Sequence, residues 1–235
     1  MAARGGKQVI PRPANFRHGD SNPWHGRVNP ARFSIDRVTD VLAQHAGRLH
    51  PEDLPTTPMR PPFVAATKDA AVLVPLFLGP ANDLRVLLTR RSGRMNSHSG
   101  EVAFPGGRLD PGETPVEAAL REAEEEVSLP RTAVRILGSL EPLTTVVSSS
   151  RITPFVGVID EMASLRDRLQ PSAREVDRIF DVSLEELIHP DCYREEIWDF
   201  PDGTFPVWFF EVEDDTIWGA TGRMLRRLLD LTLLD

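Results

Sequence analysis

The stretch 107–129, GRLDPGETPVEAALREAEEEVSL, narrows the fold more than any other part of the chain. Five glutamates fall between Glu117 and Glu126, with Arg121 the only basic residue among them. Like charges four apart on a helix cost a few tenths of a kcal/mol each. Such a helix needs an apolar anchor and a neutralising charge from outside. The anchor is legible. Thr114-Pro115-Val116-Glu117 reads as a helix start, with Thr114 as N-cap, Pro115 in the first position and Glu117 completing a capping box. At about 100° per residue, Val116, Ala119, Leu120, Ala123 and Val127 form one stripe. That stripe is expected to lie on a sheet, so that Glu122 and Glu126 line the edge of the contact and Glu125 its flank. The neutralising charge is expected to be a divalent cation, because hard carboxylate oxygens on a rigid element suit Mg²⁺ or Mn²⁺. The competing reading is a solvated acidic face. The Gly106-Gly107 turn ahead of the helix and the isolated Glu113 weigh against it.

The rest of the chain supplies the sheet. Residues 70–78 are a nearly continuous apolar run and read as a buried strand; 79–83 are a turn and 84–89 a second strand. Residues 102–104 lead into the Pro105-Gly106-Gly107 turn. Further strands are expected near 134–140 and 152–159, a short helix near 184–188, and a hairpin of 193–200 and 205–212 around Pro201-Asp202-Gly203. A last amphipathic helix is expected over 219–229. Alternation of Trp198 with Phe200, and of Trp208 with Phe210, reads as core packing. Interleaved strands and helices give an α/β sandwich around a mixed sheet. The first 62 residues stand apart. Residues 1–32 lack any period and read as an extended or mobile arm. Ser34 caps a helix with Ile35, Val38, Leu42, Ala46 and Leu49 on one face and Phe33 stapled on Val38. A connector with Pro51, Pro55, Pro58, Pro61 and Pro62 then marks the start of the catalytic domain, taken as 63–235.

Bulk properties remove other classes. At 235 residues, 40% apolar and 26% charged, the chain can build one ordinary soluble core. No run of 18 apolar residues predicts a membrane span, and the N-terminus lacks the apolar centre of a secretory signal. The single cysteine, Cys192, forms no internal disulfide and fits a cytoplasmic setting; it reads as a small packed side chain rather than a nucleophile. A net charge of −8 argues against nucleic-acid binding. Locally the balance reverses. Arg85, Arg90, Arg91, Arg94 and Arg108, against Glu101 alone, precede the acidic helix. That order suits a polyphosphate substrate, with arginines for phosphates and carboxylates for metal.

The same segment resembles the Nudix box, G-x5-E-x7-R-E-U-x-E-E-x-G-U. Gly107, Glu113, Arg121, Glu122, Glu125, Glu126 and Leu129 match. Ala123 replaces a larger aliphatic, and Ser128 stands where the last glycine belongs. That glycine ends the helix in a left-handed conformation, which costs a non-glycine residue on the order of 1 kcal/mol. Upstream, LLTRRSGRMNSHSGEVAFPGG (87–107) resembles the accessory signature of coenzyme A pyrophosphatases. Leu87, Leu88, Thr89, Arg91, Ser92, Gly100, Phe104, Pro105, Gly106 and Gly107 match, and Asn96 takes the place of an arginine. Segments 143–157 and 217–225 look like that family too.

The resemblance implies a Nudix-type α/β/α sandwich with a mixed β-sheet. It implies metal-dependent hydrolysis of coenzyme A or its derivatives to 3′,5′-ADP and 4′-phosphopantetheine. Mg²⁺ or Mn²⁺ is expected on Glu122, Glu126, Glu125 and the Gly106 carbonyl. Glu125 is the first choice of general base, Arg121 orients the glutamates, and Glu113 is peripheral. Arg91, Arg94, Gly106 and Gly107 are the expected substrate contacts, with Thr145, Ser148 and Ser150 as donors to a polar tail and His98 a structural hydrogen-bonder. Asn96 keeps a second substrate class open, ADP-ribose or NADH. A non-catalytic binding protein would have lost box carboxylates, and none is lost. The expected partner is a small-molecule nucleotide, with a homodimer left open.

Overall fold

A strand buried on both faces reads as an unbroken apolar run, and residues 71–77 are the buried centre of such a strand, 68–78, in the computed structural model. The structure describes residues 4–26, 33–46, 68–93, 99–145, 150–200 and 203–234. In chain order the elements are β1 (Phe16–His18), α1 (Ile35–Ala46), β2 (Lys68–Leu78), β3 (Leu84–Arg91), β4 (Val102–Ala103), β5 (Gly106–Arg108), α2 (Pro115–Val127), β6 (Val134–Ser139), β7 (Leu143–Thr144) and β8 (Ser150–Ile159). Then follow α3 (Met162–Leu165), β9 (Val176–Ser183), α4 (Leu184–Leu187), β10 (Tyr193–Phe200), β11 (Gly203–Val212), β12 (Asp215–Ile217) and α5 (Gly219–Leu233).

β2 is the centre. It runs parallel to β8, from Lys68↔Ser150 to Leu76↔Val158, and antiparallel to β3 and β5. The mixed sheet is ordered β4-β3-β2-β8-β6, with β5 on β2, β7 on β8 and β9 on β3. Side chains alternate across it. Ala71, Leu73 and Phe77 face α2, packed with Ala118, Ala119, Ala123 and Val127. Val72, Val74 and Leu76 share the opposite core with Val38 and Leu42 of α1 and Leu225, Leu228 and Leu229 of α5. Two helical layers therefore flank one mixed sheet, as expected. A second, antiparallel sheet is ordered β1-β10-β11-β12. Trp198 and Phe209 of this sheet pack with Val207 in a small core of their own, while Phe210 joins the main one.

Three expectations need correction. Residues 4–26 are packed on the domain. β1 pairs with β10, from Phe16↔Trp198 to His18↔Glu196, and the Arg4 backbone forms an isolated β-bridge with that of Glu213. Trp24 is fully buried in the main core, its ring against Tyr193 and Phe210 and its indole N–H donating to Asp230 at 3.0 Å. A short edge strand and one anchoring tryptophan carry no periodic signal. β3 extends to Arg91 because β9 pairs along its whole length. α5 runs four residues past Leu229, because Leu231 and Leu233 continue its buried face and no glycine or proline stops it. Ser34 does cap α1, its hydroxyl accepting from the Arg37 N–H at 3.1 Å, and Phe33, Val38 and Leu42 are buried. Leu49 and the proline connector lie outside the described residues. Among the described residues no helix is long and apolar enough to cross a membrane.

Candidate active site

Helix α2 begins as the sequence dictates. The Thr114 hydroxyl accepts from the Glu117 N–H, and the Glu117 carboxylate accepts from the Thr114 N–H at 2.9 Å. The helix closes on Ser128 at φ 57° and ψ 30°, a left-handed residue. Its N–H bonds Glu124 O at 3.0 Å, and Leu129 N–H bonds Ala123 O. Burial of the alanine-rich stripe on β2 fixes the rotation of the helix. That rotation sets three glutamates at three depths. Glu126 is buried, Glu122 is half-buried, and the Glu125 side chain is 59% exposed.

Arg121 gathers the charges. Its Nε donates to Glu113 at 2.8 Å, and Nη1 donates to Glu122 at 3.0 Å and Glu125 at 3.2 Å. Nη2 donates to Glu113 at 3.0 Å and to the Arg108 carbonyl at 2.9 Å. Glu113 also accepts from the Asp110 N–H at 2.9 Å, and the Arg121 bond holds its carboxyl below the usual range. Isolated Glu113 is thus the far end of one network, tying the loop before α2 to the helix.

The glycine turn closes the site from the other side. A Cβ on Gly106 would collide with the Ala71 carbonyl and the Val72 Cα; one on Gly107 would collide with the Glu122 carboxylate. At Gly106 the obstacle is backbone, so only glycine lets β5 run this close to β2; at Gly107 a side chain would displace the Glu122 carboxylate. The Gly106 N–H donates to Glu126 Oε2 at 3.2 Å, and Arg91 Nη1 lies 3.8 Å from Glu126 Oε1. Burial pushes the Glu126 carboxyl up to about 7, against the pull of the Gly106 N–H and of Arg91. Burial also raises Glu122, against the pull of Arg121. Two carboxylates held this way favour a cation between them.

Glu122 and Glu126 bring together hard oxygen donors of the kind that suits Mg²⁺ or Mn²⁺. Among the described residues no three of His, Cys, Asp and Glu make a metal site by themselves. Magnesium sites commonly take one or two carboxylates and complete their shell with substrate phosphate and water, so a two-carboxylate set is adequate.

Of the expected site residues, Glu122, Glu126, Arg91, Gly106 and Gly107 are brought together, with Arg121 and Glu125 on the outer side. Arg94, Asn96, His98 and Ser148 lie outside the described residues. Arg85 and Arg90, part of the basic run, are committed elsewhere. Arg85 pairs with Asp83 at 2.5 Å and Asp181 at 2.6 Å, and Arg90 with Asp177 at 3.2 Å and Asp215 at 3.5 Å. Thr145 exchanges hydrogen bonds with the Ser150 backbone at 3.3 Å, closing the ends of their own loop. Cys192 is buried and its thiol pushed up to about 12, so it is a packed thiol at neutral pH. The sequence reading missed Glu175. Its charge raises both Glu122 and Glu126, and the turn it ends is bonded to both sides of the site, Ser172 N–H to Glu126 O and Ser92 N–H to Glu175 O, each at 2.8 Å. Nothing near Glu175 in the sequence signals this, because it follows the box by some fifty residues.

Residues 67–204 match the NUDIX domain. The chain is 36% identical over 199 residues to the uncharacterized Nudix hydrolase NudL of Yersinia enterocolitica, covering 81% of this chain and 97% of that protein. It is 39% identical over 163 residues to the NudL protein of Escherichia coli, covering 68% of this chain and 81% of that one. Among solved structures, a C. elegans Ap4A hydrolase in a binary complex aligns with 24% identity and a TM-score of 0.42, over 52% of this chain and 83% of that one. With the domain match spanning more than half of its length, the chain belongs to the Nudix family and is a pyrophosphohydrolase acting on a nucleoside diphosphate derivative.

Proposed function

We propose that the substrate is coenzyme A or one of its derivatives, cleaved at the pyrophosphate to 3′,5′-ADP and 4′-phosphopantetheine. The observation that supports this best is the accessory signature in 87–107. It runs along β3 and β4 into the glycine turn, and its Arg91 lies 3.8 Å from Glu126. In this reading Arg91 and Arg94 take the substrate phosphates, and the Gly106-Gly107 backbone approaches the pyrophosphate. Glu122 and Glu126 would hold the cation, with the Gly106 carbonyl and, from the outer side, Glu125 as the further expected ligands. A bound Mg²⁺ or Mn²⁺ neutralises phosphate charge and acidifies water. Glu125 takes the proton of the attacking water as a new P–O bond forms and the bond to the bridging oxygen breaks. Arg121 holds Glu122 and Glu125 in place through charge-assisted bonds. A cytoplasmic location belongs to the same reading.

Asn96, in place of the signature arginine, favours a second substrate class, ADP-ribose or NADH. A hydrolysis panel separates the two: coenzyme A, acyl derivatives, dephospho-coenzyme A, ADP-ribose and NADH, with Mg²⁺ or Mn²⁺ and product identification. Coenzyme A is expected to have the highest kcat/KM, and Arg91→Ala to lower it. A preference for ADP-ribose or NADH, with Arg91→Ala neutral on coenzyme A, would leave only the family assignment standing.

A further inference from the structure

Two adjacent arginines on β3 face opposite sides of the sheet, as alternation requires. Arg91 points to α2 and Glu126. Arg90 points to the second sheet, where it meets Asp215 of β12. The pairing of β3 with β9 is irregular at this place. Arg90 stands opposite Arg178, but Arg91 stands opposite Val176, so Asp177 is an extra residue in β9. A bulge of this kind bends its strand and re-aims the neighbouring side chains. The Asp177 carboxylate accepts from Arg90 Nε at 3.3 Å and Nη2 at 3.2 Å. The same guanidinium reaches Asp215 through Nη1 at 3.5 Å.

Asp215 is fully buried and is itself held from two sides. Gln8 Nε2 donates to its Oδ1 at 3.2 Å, and Arg178 Nη1 lies 3.6 Å from its Oδ2. Gln8 also accepts from the Thr216 N–H at 3.2 Å, so the N-terminal segment is bonded along β12. On the far side of the bulge, the Arg91 N–H donates to Glu101 O at 2.9 Å and Ser92 N–H to Glu175 O at 2.8 Å. The end of β3 is therefore pinned by side chains at Arg90 and by backbone at Arg91 and Ser92.

We infer that Arg90, clamped between Asp177 and Asp215, is a positioning residue: it fixes the bulge that aims Arg91 at the substrate phosphates. This rests on the proposed role of Arg91. A planar guanidinium suits the task, because it engages two carboxylates in fixed directions where an ammonium is a single point charge. The clamp also gives Gln8 and β12 a part in substrate binding, although Gln8 lies outside the matched domain and neither touches the site.

The test is a double-mutant cycle read by steady-state hydrolysis of coenzyme A. Arg90→Lys and Asp177→Asn are each combined with Arg91→Ala. Asp177 is the second variant because its side chain is 57% exposed and its replacement leaves the core intact. In the wild-type background each is expected to raise KM about three- to tenfold, with kcat within about twofold. In the Arg91→Ala background each is expected to change KM by less than about twofold, because residues acting through one another are not additive. Equal fold-changes in both backgrounds, or a fall in kcat at unchanged KM, would overturn the clamp while leaving the substrate reading intact. A wild-type KM in Arg91→Ala alone would overturn the substrate reading and remove the clamp's purpose with it.

Discussion

The two sides of the site hold their charges in different ways. On the α2 side every partner of Arg121 lies between Arg108 and Glu125. On the β3 side Arg90 reaches residues 87 and 125 positions away, and Asp215 is held by Gln8 from 207 positions away. The first network draws only on the helix and the segment 108–113 that leads into it. The second exists only when the N-terminal segment, β9 and β12 are all in place. Substitutions on the α2 side should therefore change chemistry with little effect on folding, and those on the far side should couple folding to substrate binding.

The largest effect tests the α2 half of that contrast. Glu126→Gln removes a proposed cation ligand and is expected to lower metal-dependent turnover by about 10²–10⁴. It also replaces a buried carboxylate whose charged form burial opposes. The thermal midpoint of the metal-free protein is therefore expected to hold or rise. Wild-type turnover at low metal would remove Glu126 from the site. Trp24→Ala probes the opposite case. It empties a fully buried aromatic position and leaves Asp230 without its indole donor. A loss of about 3–5 kcal/mol in denaturant unfolding is expected. A loss under about 1 kcal/mol would mean that the N-terminal segment is an appendage after all. Smaller still, Asn96→Arg restores the signature arginine. A well-formed charge-assisted contact is worth roughly 1.5–3 kcal/mol, or about tenfold and more in kcat/KM for coenzyme A. ADP-ribose, which lacks the 3′-phosphate and the pantetheine arm, should gain much less. Equal gains on both substrates would break the link between this segment and coenzyme A.

The same contrast explains which parts were legible in the sequence. Thr114, Pro115 and Glu117 announce the helix start, and Ala119, Ala123 and Val127 its buried face, because both signals act within a few residues; Ala118 rather than Val116 completes that face, since the helix is turned slightly from the expected stripe. β2 is legible because a strand covered on both sides must be apolar throughout. Glu122 and Glu126 were placed together by their spacing alone. Their different depths were not, since depth depends on where β5 passes. The accessory signature singles out Arg91 and leaves Arg90 without a role; strand alternation and the bulge at Asp177 are what send Arg90 to Asp215 and Arg91 to Glu126. Trp24, Gln8 and Glu175 act through partners far along the chain, in stretches with no period, and nothing local points to them.

The smallest effect concerns the one backbone position where the box departs from its pattern. Ser128 holds a left-handed conformation at φ 57°, which glycine adopts without steric cost and other residues do not. Ser128→Gly should relieve on the order of 1 kcal/mol. Two terms oppose it. Glycine has more freedom to lose on folding, and the Ser128 hydroxyl donates to the Gln170 carbonyl at 3.3 Å. That bond is long and exposed, so it contributes at the low end of the usual range of about 0.5–1.5 kcal/mol. The net expectation is a stabilisation of up to about 1 kcal/mol, read as a higher denaturation midpoint at unchanged slope. Turnover should not change, because the Ser128 side chain is bonded away from the carboxylates. A lower midpoint would mean that the bond to Gln170 outweighs the backbone strain. The 170–175 turn, which already bonds the end of α2 through Gln170 N–H to Val127 O and Ser172 N–H to Glu126 O, would then stabilise it through the Ser128 hydroxyl as well, and the site's two halves would be less distinct than their networks suggest.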